Sequence, residues 1–203
     1  MKLLVATRNR HKLEEIRQIF ELPGLELLAA DEVPGLPEEV VEDADTFEGN
    51  ALKKARELGQ ASGLWTLADD SGLEVVALGN APGVFSARYA GEPCSYPANN
   101  AKLLRELEGV TDRRARFRCA IALRAPDGRE WAVDGSCEGR IIGECRGANG
   151  FGYDPLFVPD GFDKTFAELD GVAKNSISHR GRALRRAAAE WRDLLGGSEG
   201  VCS

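Results

Sequence analysis

Two adjacent carboxylates stand between apolar stretches in the run Leu67-Ala68-Asp69-Asp70-Ser71-Gly72-Leu73-Glu74-Val75-Val76. Acids in such a setting are costly to desolvate, so they bind a cation or move a proton, unless they simply cap a turn, as Asp and Ser often do. In extended backbone successive side chains point to opposite faces, so only one of Asp69 and Asp70 readily serves a given site. A Ser-Gly turn is expected directly after the pair. A second group, Thr7-Arg8-Asn9-Arg10-His11-Lys12, lies where a strand hands over to a helix. The backbone N–H groups and positive dipole end of a helix N-terminus suit phosphate. The alternative is a solvated basic turn. The glycines of a P-loop are absent.

In Gly147-Ala148-Asn149-Gly150-Phe151-Gly152-Tyr153-Asp154-Pro155, three glycines bracket an aromatic residue and an acid. Such a loop can hold a flat ring against Phe151 while its backbone reads the ring edges; it can also be a turn whose Phe and Tyr pack inward. In Lys174-Asn175-Ser176-Ile177-Ser178-His179-Arg180-Gly181-Arg182, Ser178 reads as an N-cap. His179 and Arg180 then fall in the first helical turn, where cations oppose the dipole. That unfavourable placement points to an anionic or electron-rich ligand. The acidic stretch Glu38-Glu39-Val40-Val41-Glu42-Asp43 reads as a solvated loop that can also supply one Mg²⁺ ligand, and Lys53-Lys54 beyond it can face phosphate or solvent.

The elements that must position these groups follow from periodicity and punctuation. Leu3 to Ala6 reads as a buried strand, and a helix from about Lys12 carries Leu13, Ile16, Ile19 and Phe20 on one face until Pro23-Gly24. Leu25 to Ala30 is a second strand, and Asp31 to Asp45 an acidic loop. Thr46 caps a helix through about Ser62, stopped by Gly63. Trp65 to Ala68 is a strand leading into the Asp pair. Asn99 to Glu108 is a helix with Leu103, Leu104 and Leu107 on its face. Arg116 to Arg124 alternates, Asp127-Gly128 signals a hairpin, and Glu130 to Val133 returns, with Gly135 to Ile142 continuing the sheet. Tyr153 to Val158 is a short strand. A final helix from Ser178 turns Leu184, Ala188, Trp191 and Leu195 inward before Gly196-Gly197. Mixed helices and strands with a hairpin indicate an α/β fold on a mixed sheet.

At 203 residues the chain has the length of one domain of ordinary size, and 43% hydrophobic residues allow a sizeable core. No apolar run approaches the roughly 18 residues of a membrane span. Met1-Lys2-Leu3-Leu4-Val5-Ala6 is too short for a signal-peptide core, so a cytoplasmic location is expected. Five cysteines, Cys94, Cys119, Cys137, Cys145 and Cys202, form no C-x-x-C pair; they read as reduced thiols and argue against zinc. Oxygen-rich candidates suit a hard cation such as Mg²⁺. The net charge of −7 argues against a general nucleic-acid or anionic-membrane surface, but leaves room for one phosphorylated small molecule.

Taken in order, Thr7-x-Asn9-x-x-Lys12, Thr46-Phe47-Glu48-Gly49-Asn50-Ala51, Asp69-Asp70-Ser71-Gly72-Leu73, Ala81-Pro82-Gly83-Val84-Phe85-Ser86-Ala87-Arg88-Tyr89-Ala90-Gly91, Phe151-Gly152-Tyr153-Asp154-Pro155 and Ser178-His179-Arg180-Gly181 resemble the inosine triphosphate pyrophosphatases, the Ham1-like family. The resemblance runs from residue 3 to about 190. Each motif is weak alone; six in one order are specific. The resemblance implies hydrolysis of ITP, dITP and XTP to the monophosphate and pyrophosphate, with Mg²⁺ as cofactor and a homodimer as assembly. It also implies an elongated, two-lobed α/β fold around a mixed, twisted sheet with flanking helices, the site in the cleft between lobes, and a single pyrophosphatase domain over residues 1–203.

By the same resemblance Asp70 is the proton acceptor and a metal-associated acid, and Ser71 a substrate contact. Thr7, Arg8, Asn9, Arg10, His11 and Lys12 form the phosphate-side segment, with Lys54 a further phosphate contact. Phe151, Gly152, Tyr153 and Asp154 form the base-binding loop, and Lys174, His179 and Arg180 are the remaining substrate contacts. Glu42 is the second metal acid by its distance to Thr46-Phe47, with Glu39 close enough to compete. Water would attack the α-phosphorus under the control of Asp70, with Lys12, Lys54 and Lys174 supplying positive charge. A donor such as Arg180 or His179 would favour a 6-oxo purine over a 6-amino one. The rival readings are a Maf-type pyrophosphatase, a nucleotide sensor without turnover, and an RNA-binding module; the charge opposes the last.

Overall fold

Leu3, Leu4 and Val5 are buried in strand β1 (Lys2–Val5), which pairs in parallel with β2 (Glu26–Ala29) on one side and β3 (Trp65–Val75) on the other. Parallel neighbours need crossovers, and two helices supply them: α1 (Arg10–Ile19) and α2 (Phe47–Ser62). In the computed structural model, which describes residues 1–196, the sheet continues through β4 (Arg114–Arg124), β5 (Glu130–Ile141) and β6 (Phe157–Pro159) in the order β2-β1-β3-β4-β5-β6. β5 and β6 are antiparallel. The fold is therefore α/β on a mixed six-stranded sheet with flanking helices. Gly197 and Cys202 lie outside the described residues. Cys94, Cys119, Cys137 and Cys145 form no disulfide among the described residues, and no described helix is long and apolar enough to cross a membrane.

The chain divides into two compact units. The first comprises residues 1–70, 120–135 and the described residues from 181 on; the second comprises 71–119 and 136–180. The first unit buries Ile16, Phe20, Leu58, Leu67, Ile121 and Leu184. The second has a core built on Leu73, Leu103, Phe117, Leu156, Phe157 and Phe166, among others. Each such aliphatic or aromatic side chain contributes about 1.5–3 kcal/mol when fully buried. Strands β3, β4 and β5 each run through both units, and β3 passes from the first to the second between Asp70 and Ser71.

Several elements differ from the sequence expectation. β3 does not stop at Ala68 for a Ser-Gly turn. It runs on through Asp69–Gly72 to Val75, because both carboxylates find cationic partners that let them sit inside a buried strand. Helix α3 (Tyr96–Glu106) begins three residues early, where Ser95 caps Ala98 N. Tyr153–Pro155 is turn rather than strand: Asp154 N donates to Phe151 O and Leu156 N to Tyr153 O, leaving only Phe157–Pro159 as β6. Helix α4 (Gly171–Ile177) was not foreseen; its seven residues are too few for periodicity to show, though Asp170 caps it through Ala173 N. In α5 (His179–Glu190) Ala183 and Ala187 are buried beside Leu184, whereas Ala188 is half-buried; a four-residue turn, α6 (Arg192–Leu195), follows.

Candidate active site

In the first unit, Asn9 is the N-cap of α1, and its Oδ1 accepts from His11 N at 3.0 Å and Lys12 N at 3.3 Å. Thr7 Oγ1 accepts from Asn9 N at 3.2 Å. Side-chain oxygens thus occupy part of the amide array expected to be open to phosphate, as Asn commonly does at an N-cap. Arg8 donates to the carbonyls of Pro37 and Glu38, bracing the acidic loop rather than pointing at the start of α1. Arg10 and His11 are exposed in the first turn of α1.

The strand alternation separates the two aspartates. Asp69, 1% exposed, pairs with Lys12 Nζ at 3.1 Å. Asp70, also buried, turns to α2: its Oδ1 lies 3.3 Å from Lys54 Nζ, and its Oδ2 accepts from Asn50 Nδ2 at 3.2 Å. Asn50 and Lys54 are four residues apart, hence one above the other on the same helix face. Lys54 Nζ also donates to Glu42 Oε1 at 2.7 Å, so carboxylates from a strand and from the acidic loop converge on one ammonium. Glu39 is exposed.

These five charged groups, Glu42, Asp69, Asp70, Lys12 and Lys54, hold three negative charges against two positive ones. Burial and these neighbours shift two pKa values. Burial pushes the Asp70 carboxyl above the usual range, and Glu42 and Asp69 add to this while Lys54 and Lys12 oppose it. Burial alone would push Lys54 down, but Asp70, Asp69 and Glu42 outweigh it and hold the ammonium above its ordinary value. Hard carboxylate oxygens from the buried Asp70 and the half-buried Glu42, both on Lys54, fit a cation such as Mg²⁺, which needs only one or two carboxylates and keeps several waters. No group of three or more His, Cys, Asp or Glu side chains suited to metal occurs among the described residues.

In the second unit, Gly150 (φ +72°) and Gly152 (φ +64°) flank Phe151 in left-handed conformations that other residues rarely adopt. A Cβ at Gly150 would also collide with Asp154 Oδ2. That same oxygen accepts from Phe151 N at 2.9 Å and from Lys174 Nζ at 2.7 Å. Lys174 and Asp154 are 5% and 3% exposed. The Lys174 ammonium lies 5.1 Å from the Phe151 ring centroid, within cation–π range, and the Arg180 guanidinium 5.7 Å from it. Arg180, 1% exposed at the start of α5, donates from Nη2 to Ser71 Oγ at 2.7 Å. His179 stacks on Phe117 with centroids 4.7 Å apart and planes 11° apart. Two buried cations thus bracket one half-exposed aromatic face.

A Ham1 family profile matches residues 3–190. The chain belongs to the Ham1 family. Among Ham1 relatives, the dITP/XTP pyrophosphatase of Desulforamulus reducens is 53% identical over 189 residues, covering 92% of this chain and 94% of the relative. The dITP/XTP pyrophosphatase of Geobacter sulfurreducens is 53% identical over 197 residues, 96% of each. Among solved structures, the Ham1 protein of Staphylococcus aureus aligns with a TM-score of 0.86 at 39% identity, over 96% of this chain and 100% of that one. The nucleoside-triphosphatase / dITP/XTP pyrophosphatase of Mycobacterium abscessus aligns with a TM-score of 0.76 at 48% identity, over 92% and 98%.

In this Ham1 chain Asn50 falls within the Thr46–Ala51 motif, with no role assigned to it by the motif itself. The available signal was its residue type: Asn is a poor choice for a helix interior, so one on the core-facing side of α2 calls for a specific partner, here Asp70.

Proposed function

We infer that this chain hydrolyses deaminated purine nucleoside triphosphates, dITP, ITP and XTP, to the monophosphate and pyrophosphate. The observation that carries the chemistry is the convergence of the buried Asp70 and the half-buried Glu42 on Lys54, beside the Asp69–Lys12 pair; the substrate class rests on the relatives, named dITP/XTP pyrophosphatases at about half identity. In this reading residues 1–203 act as one pyrophosphatase domain, as a homodimer in the cytoplasm.

Asp70 and Glu42 would hold Mg²⁺, with Glu39 left in solvent. The bound ion supplies positive charge to phosphate oxygens and leaving group. Every other task falls to side chains. Asp70 orients a water toward the α-phosphorus and accepts its proton, and the raised pKa improves it as a base relative to an ordinary carboxylate. Asn50 fixes the Asp70 carboxylate through Oδ2. Lys12 and Lys54 offset phosphate charge, and Asp69 holds Lys12 in place. Thr7, Asn9, Arg10 and His11 border the phosphates at the start of α1, while Arg8 holds the loop that carries Glu42.

In the second unit Phe151 offers its face to the purine, and Ser71, Gly152, Tyr153, Asp154, Lys174, His179 and Arg180 surround it in the proposed base site. Lys174 belongs with base recognition rather than with the phosphates, because Asp154 and Phe151 hold its ammonium. Donors from Arg180 or His179 meet a 6-oxo oxygen; an amino group at that place leaves a buried donor unmet, which discriminates strongly.

Turnover of dITP in ¹⁸O-labelled water tests the reaction. Label in the monophosphate with unlabelled pyrophosphate is the expected result. Label in inorganic phosphate, with a nucleoside diphosphate as co-product, overturns it.

A further inference from the structure

Helix α3 takes no part in the reaction described above, yet one of its faces is polar where a core-facing stripe should be apolar. Tyr96, Asn99, Asn100, Leu103 and Leu107 follow the spacing of one helix face. Leu103 and Leu107 are fully buried in the core of the second unit, as that spacing demands. Asn99 and Asn100, one turn earlier, are 2% and 7% exposed. Two buried amides in a helix are unfavourable unless each makes a specific bond.

Both do. Asn99 Nδ2 donates to Ala87 O at 2.9 Å and to Ser86 O at 3.3 Å, and its Oδ1 accepts from Ala90 N at 2.7 Å. Ser86 O also accepts from the Tyr153 hydroxyl at 2.9 Å. Asn100 Nδ2 donates to Gly152 O at 3.1 Å, directly in the loop that presents Phe151. The Tyr96 ring, at the start of the same face, lies 6.1 Å from the Phe151 ring. Asn100 Oδ1 is buried and makes no hydrogen bond with the described residues. A leucine would fill this place without stranding an acceptor. The benefit of the amide is therefore its bond to Gly152, whose left-handed backbone receives no help from a side chain of its own.

We propose that Asn100 is a positioning residue for purine selection: by holding Gly152 O it fixes the height and tilt at which Phe151 meets the base. The proposal rests on the pyrophosphatase reading above. Asn100 touches neither substrate nor metal; it acts through the loop. Its effect falls on base affinity and base discrimination, and not on phosphate cleavage in the other unit.

The test compares wild-type enzyme with Asn100→Asp, which keeps shape and acceptor but loses the donor, and with Asn100→Ala in case the buried carboxylate blocks folding. KM and kcat are measured separately for dITP and dATP, with thermal melts alongside. The expected result is a KM for dITP raised about tenfold with kcat within about threefold, and a dITP-over-dATP preference lowered by about the same tenfold, the scale of one lost hydrogen bond. A lower melting temperature with unchanged KM and unchanged preference overturns the proposal, leaving Asn100 a structural residue. So does a fall in kcat alone, equal for both nucleotides. Failure of the wild-type enzyme to cleave dITP is a different outcome: it removes the pyrophosphatase reading itself.

Discussion

Each unit buries one lysine against one aspartate, and the two pairs are built for different work. In the first, Lys54 Nζ is shared between Asp70 at 3.3 Å and Glu42 at 2.7 Å, and the surroundings carry excess negative charge. In the second, Lys174 meets Asp154 at 2.7 Å and lies over the face of Phe151. The Asp154 oxygen that takes Lys174 also takes the Phe151 amide, so the pair is woven into the loop it supports. Similar charges at similar burial thus give, in the proposed reading, a carboxylate pair for a cation in one place and a scaffold for an aromatic face in the other.

The largest expected effect is on chemistry in the first cluster. Asp70→Asn keeps the shape but removes the base and one of the two proposed Mg²⁺ ligands, so kcat for dITP falls about 10²–10⁴-fold, while nucleotide affinity measured by calorimetry without Mg²⁺ changes little. A near-normal kcat would remove Asp70 from the mechanism. Next come the lysines. Lys174→Met strands the Asp154 carboxylate and destabilises the protein by about 3–5 kcal/mol in urea unfolding. Lys54→Met also destabilises, but added Mg²⁺ raises its melting temperature by binding the two carboxylates left behind, and does nothing for Lys174→Met. Equal responses to Mg²⁺ would erase the distinction between the clusters.

Smaller effects sharpen the same contrast. Arg180→Ala lowers the dITP-over-dATP preference by about tenfold or more in steady-state kinetics, with the larger change in the ratio rather than in kcat. Glu42→Gln raises the Mg²⁺ concentration needed for half-maximal activity, whereas Glu39→Gln leaves it unchanged. The reverse order would hand the metal to Glu39. The bidentate but exposed pair Arg56–Glu130, both bonds 2.7 Å, serves as the surface control: Arg56→Ala changes stability by no more than about 1 kcal/mol.

The α/β class, the Thr46 cap with its Gly63 stop, the hairpin at Asp127-Gly128 and the six ordered motifs were all legible in the sequence, because each depends on local residue chemistry. Strand alternation also foretold that Asp69 and Asp70 face different ways, and they meet different lysines, Lys12 and Lys54. The extension of β3 through the aspartates was not legible. It depends on Lys12, Asn50 and Lys54 arriving from other elements, and nothing in the local run announces that. The same holds for Arg8, whose charge suggested phosphate but whose guanidinium braces the carbonyls of Pro37 and Glu38. For Asn50 and Asn100 the residue type on a core-facing helix side signals that a partner is needed, but which partner each takes depends on other elements.

The most direct test of the central claim is pyrophosphate release from dITP, XTP, dATP, dGTP and dTTP, each with and without Mg²⁺, for wild-type and Asp70→Asn enzyme. Fast, Mg²⁺-dependent release from dITP and XTP, far slower release from the other three, and loss of all of it in Asp70→Asn is the predicted result. Release from dATP or dTTP at rates matching dITP, or persistence of activity in Asp70→Asn, contradicts it.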